Sequence, residues 1–128
     1  MFTLKQIKDA HSKVRSGTDF PKYTQDLIAL GVLEYTIYVS DGHAKYNGKD
    51  NYTIESEAEY PTLSIAKIDK DKFREYLKVH QQGKTDYLTF CKDSARTGID
   101  KWTVDILAKT CTYYDKDSNF ILEEKIPI

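Results

Sequence analysis

The hydrophobic period of this chain changes twice from about 3.6 to 2, each time just after a glycine, and that alternation restricts the folds open to it. Upstream of Gly31, Tyr23, Leu27 and Leu30 recur at helical spacing; downstream, Leu33, Tyr35, Ile37 and Val39 alternate with Glu34, Thr36 and Tyr38. Upstream of Gly98, Tyr87, Phe90, Cys91, Ser94 and Ala95 share a helical face; downstream, Trp102, Val104 and Ile106 alternate with Thr103, Asp105 and Leu107. The first pattern is an amphipathic helix and the second a half-buried strand. A C-terminal glycine between them is the usual helix stop.

The remaining elements fit around these two changes. Thr3 with Gln6 is a capping box opening a helix that carries Leu4, Ile7, Ala10, His11 and Val14, with Gly17 expected to close it. Pro21 suits the first turn of the second helix. Asp41-Gly42 marks a hairpin, and return strands are expected near residues 44–46 and 52–55. Residues 63–66 are read as a short strand. Asp69 caps a helix bearing Phe73, Tyr76, Leu77 and His80 that stops at Gly83, and Thr85 is expected to cap the next. Strands at about 110–114 and 120–124 flank a turn at residues 115–119. Hairpin-joined strands with interspersed helices predict a single α+β domain over residues 1–128: an antiparallel sheet with two helix pairs packed against it. The two halves share an element order, but no residue-level match between them is evident, so no duplication is inferred.

With 128 residues the chain is long enough for a core that needs no disulfide or metal. Nineteen basic residues against twenty acidic ones leave a net charge of −1, without the basic excess of a nucleic-acid binder. No apolar run approaches a membrane span. The N-terminal segment lacks the apolar region of a secretory signal, so a cytoplasmic location and reduced thiols are expected. The spacing of Cys91 and Cys111 fits neither a metal site nor a redox pair. No phosphate-binding loop, nucleophile elbow or zinc-binding helix is present. No cofactor and no metal are expected.

The candidate positions carry two readings each. His80 and Cys91 lie on consecutive helices and could meet as base and thiol, yet buried cysteine ordinarily packs as a small hydrophobe. Cys111 reads as a ligand contact or as cross-strand packing. Asp105 reads as an inward carboxylate or as one on the exposed face. Gln81, with Asp86, belongs to a polar loop between helices, a frequent place for binding residues. Asp41, Gly42 and His43 could read as a metal or acid/base cluster, but a turn accounts for Asp41 and Gly42, and a lone histidine after a turn is ordinarily solvated.

Residues 80–91 (HQQGKTDYLTFC), 101–105 (KWTVD), 110–115 (TCTYYD) and 38–42 (YVSDG) resemble the YbcV/YdfO-like family of small bacterial proteins of unknown function. These are often carried on prophages, and some are labelled phage envelope protein. The resemblance spans nearly the whole chain and implies an α+β fold. It supplies no reaction, cofactor or catalytic residue. It directs attention to His80, Asp86, Cys91, Trp102, Asp105 and Cys111.

Two functions follow as expectations. One is a cytoplasmic binding or interaction protein of prophage-like origin, taking a small ligand or protein partner through an exposed tyrosine-rich sheet face or the loop at 81–86. The other is a cysteine-dependent enzyme using Cys91 or Cys111 with His80 as base.

Overall fold

The computed structural model describes residues 2–14 and 19–126. Along the chain run α1 (Leu4–His11), α2 (Phe20–Leu30), β1 (Glu34–Tyr38), β2 (Ala44–Asn47), a single 3-10 turn (Lys49–Asn51), β3 (Thr53–Glu55), α3 (Lys70–Gln81), α4 (Tyr87–Arg96), β4 (Lys101–Asp105), β5 (Thr110–Tyr114) and β6 (Phe120–Lys125). All ladders are antiparallel, in the order β3-β2-β1-β4-β5-β6. Each half of the chain therefore supplies a three-stranded meander, and the β1–β4 ladder joins them. Helices α1 and α2 pack together, as do α3 and α4. This is the α+β arrangement that the periodicity predicts.

At the centre of the joining ladder Thr36 faces Thr103, with their hydroxyls 2.9 Å apart and 67 residues between them in sequence. The same shift carries Asp19 onto Asp86, which stand at the N-cap positions of α2 and α4; the Asp86 side chain makes the cap hydrogen bond and that of Asp19 does not. It carries Gly31 (φ 95°) onto Gly98 (φ 93°), Tyr35 onto Trp102, Ala44 onto Cys111 and Tyr46 onto Tyr113. Because the β1–β4 register is symmetric about the threonine pair, an approximate two-fold axis crosses the sheet there. The chain is thus internally duplicated in structure, with only scattered identities between the halves. What the halves share is an aspartate at the N-cap position, a left-handed glycine and the size class of each inward side chain.

One sheet face is covered. Tyr35, Ile37, Ala44, Tyr46, Trp102, Val104, Cys111 and Tyr113 are buried on it against the helices. The other face carries Thr36, Thr103, Lys45 and Asp105. This corrects the expectation of an exposed tyrosine surface. Tyr23, Tyr35, Tyr46 and Tyr113 are buried, and the exposed large apolar side chains among the described residues are Ile28, Leu88, Leu107 and Phe120.

Three local expectations also change. The capping box at Thr3 is present, but α1 ends at His11 with Ser12 as its C-cap, so Val14 lies beyond the helix, and Gly17 lies outside the described residues. Residues 63–66 form no strand. Their backbone binds singly to other elements' ends, Leu63 N–H to the Ser40 carbonyl (2.6 Å) and Ala66 N–H to the Ala95 carbonyl (2.9 Å). Asp86, not Thr85, caps α4, accepting the Thr89 N–H at 2.8 Å. The aspartate acceptor is charged, and the Thr85 hydroxyl is occupied 3.0 Å from His80 Nδ1. The Asp41-Gly42 signal does fall in a hairpin connection, five residues long rather than two.

Candidate ligand cavity

The two helix pairs leave a cavity of about 350 Å³ over the covered face of the sheet. Its floor is open because the two symmetry-related inward positions, Ala44 on β2 and Cys111 on β5, are small. Larger rings surround them. Tyr23, Tyr35 and Tyr46 form one run, with centroids 6.3 and 5.6 Å apart. Phe90, Trp102 and Tyr113 form the other, at 5.4 and 6.0 Å. The 67-residue shift maps the first run onto the second, residue by residue. His11 of α1 meets Tyr87 of α4 edge-on at 4.9 Å, linking one helix pair to the other. Glu59 and Tyr60, after β3, and Glu124 on β6 complete the lining.

The rings around this space are neutral. Burial raises the phenol pKa of Tyr23, Tyr35, Tyr87 and Tyr113, so each keeps its proton at neutral pH. Burial lowers the pKa of His11, against the pull of Glu59, and that of His80, against the Thr85 carbonyl. Both imidazoles are therefore biased toward the neutral form.

Of the residues singled out from the sequence, His80, Gln81, Trp102 and Cys111 line the cavity. Cys91 is fully buried and does not line the cavity; Tyr60 and Tyr87 are its polar neighbours. Asp86 is spent on the α4 cap. Asp105 pairs with Glu34 across the central ladder and accepts the Ala108 N–H at 2.9 Å, closing the β4–β5 turn. His80 stacks on Phe90 at 4.4 Å, with Nδ1 3.2 Å from the Thr85 carbonyl. Among the described residues no hydrogen bond joins its ring to either sulfur. Both cysteines are free. Burial pushes the Cys91 thiol up to about 11 and the Cys111 thiol up to about 12. A nucleophilic cysteine needs the opposite shift. No group of three or more His, Cys, Asp or Glu among the described residues could hold a metal ion.

Among the lining residues that sequence reasoning passed over are His11, Tyr23, Tyr35, Tyr46, Glu59 and Glu124. The 67-residue correspondence was the signal that could have found the tyrosines, because it pairs each with an aromatic residue of the second half.

The histidines give a pH signature. Their folded pKa values lie below the ordinary 6.5, so between the two values the unfolded chain binds more protons. Stability is complete above about 6.5 and falls as pH drops through the folded values. Asp86, held low by the Thr89 hydroxyl and N–H, and Asp115, held low by the Asn119 N–H, act only below 3.8. The urea midpoint should therefore decline between pH 7 and 5, and His11→Gln with His80→Gln should flatten that decline. A midpoint independent of pH over this range would contradict the burial of the rings.

Among the described residues no helix is long and apolar enough to cross a membrane. Comparison with curated proteins gives no match. The family described as "Protein of unknown function (DUF1398)" matches residues 8–125, nearly the whole duplicated unit, and the chain belongs to that family.

Proposed function

We propose that this protein binds a small, mostly apolar organic molecule in the cavity between its helix pairs. The observation that carries this is the duplicated aromatic run around a floor kept open by Ala44 and Cys111. A cavity of about 350 Å³ lined by rings with a few polar groups suits a small ligand, since such sites start at roughly 300 Å³. The inward tyrosines favour a small ligand over a protein partner. The sequence resemblance to prophage-borne bacterial proteins supports placing this role in a bacterial cytoplasm. The cysteine-enzyme reading has no comparable support, because both thiols hold their protons and His80 is engaged elsewhere.

The neutral dye N-phenyl-1-naphthylamine tests the proposal. Saturable binding at roughly micromolar affinity is expected, with quenching of Trp102, the only tryptophan. Ala44→Phe, which fills the floor, should reduce binding at least about ten-fold while melting cooperatively. Cys111→Leu should act in the same direction with less added bulk. Absence of saturable binding, or unchanged binding in both folded variants, would overturn the reading.

A further inference from the structure

We infer that the cavity selects an organic cation, a positively charged group on an aromatic or apolar body; this rests on the ligand-binding reading above. The β5–β6 register pairs Glu124 with Cys111, so the carboxylate faces the helix layer from the sheet edge. Its oxygens accept the Gln81 side-chain N–H group at 2.9 and 2.8 Å and the Tyr113 hydroxyl at 3.0 Å. Gln81 and Tyr113 are both neutral, so they orient the carboxylate and leave its charge uncancelled. Among the described residues no lysine, arginine or histidine forms an ion pair with Glu124 or with Glu59, the second carboxylate of the lining.

The other groups point the same way. Ring faces are electronegative and attract cations. His11 and His80 are biased neutral by burial. Among the described residues Lys8, on the exposed face of α1, is the one lysine or arginine in the lining. Two carboxylates against one lysine, inside aromatic walls, complement a cation and repel an anion. A bound cation would supply the counter-charge that a partly buried carboxylate otherwise lacks.

Tetraphenylphosphonium and tetraphenylborate share size and shape and differ in sign. Calorimetric titration of the native protein should show the phosphonium binding at least about ten-fold tighter than the borate. Glu124→Gln keeps the shape of the side chain and its acceptor for Tyr113. It should weaken phosphonium binding about ten-fold without weakening borate binding. A merely structural role for Glu124 would lower both, which overturns the inference. Equal affinities, tighter borate, or failure of both ions while the neutral dye binds would also overturn it and leave the cavity reading standing. Failure of both ions and of the dye would sink the two together.

Discussion

Gly98→Ala is expected to lower the unfolding free energy by about 4 kcal/mol, against about 1 kcal/mol for Gly31→Ala. The two glycines are equivalents in the duplicated halves and share a left-handed backbone, φ 93° and 95°. The conformational penalty for a side chain is therefore common to both. Their surroundings differ. A Cβ on Gly98 would sit 2.4 Å from Ile68 Cα, 2.5 Å from Ile68 N and 2.8 Å from the Lys67 carbonyl carbon, all backbone. A Cβ on Gly31 would meet nothing within 4 Å. The segment leading into α3 cannot easily retreat, because Ala66 and Asp69 donate their N–H groups to the Ala95 and Thr97 carbonyls at 2.9 and 2.8 Å. The difference between the two variants isolates the clash. Against a typical stability of 5–15 kcal/mol, a loss near 4 leaves Gly98→Ala marginal. Urea unfolding of both variants measures it, and equal losses would mean that the 67–68 backbone does not abut the end of α4.

The second large effect concerns the thiols. At pH 8 a thiol pushed up to about 11, as for Cys91, or about 12, as for Cys111, is ionised at roughly one part in 10³ or 10⁴. A free cysteine near 8.5 is ionised to roughly a quarter. Iodoacetamide reacts with the thiolate, so both sites should label at least about a hundred-fold more slowly in the native protein than in urea. The complete burial of Cys91 slows it further. Mass spectrometry of each cysteine peptide over time gives the two rates. Labelling of either at the rate of free cysteine would show a reactive thiol, and the cysteine-enzyme reading would have to be restored.

Much of the backbone plan was legible in the chain. Local chemistry states it outright at the Thr3 capping box, the glycines at 31 and 98, and the alternation along β1 and β4. Errors came where two local signals compete or where partners are distant. Thr85 and Asp86 are adjacent candidate caps, and only the tertiary contact to His80 decides which is free. Residues 63–66 have a strand-like pattern, but whether a strand finds a ladder depends on distant neighbours. Alternation shows that Tyr35 and Ile37 share a face; the expectation of an exposed tyrosine-rich face rests on tyrosine abundance, which does not show on which side of the helix layer each ring lies.

The duplication escaped for a related reason. Packing constrains size and apolarity, so Tyr23 corresponds to Phe90, Tyr35 to Trp102 and Ala44 to Cys111 without identity. The candidate site was half legible. His80, Gln81, Trp102 and Cys111 reach the cavity, while Cys91, one helix away from His80, turns toward Tyr60 and Tyr87.

The most direct test of the binding claim is residue-resolved NMR of the isotopically labelled protein during titration with N-phenyl-1-naphthylamine. Perturbed signals should converge on the Trp102 indole, the rings of Tyr35, Tyr46 and Tyr113, and His11, leaving Thr36, Thr103 and Lys45 on the opposite sheet face unmoved. Shifts centred on that opposite face, or spread without focus, would contradict a ligand seated between the helix pairs.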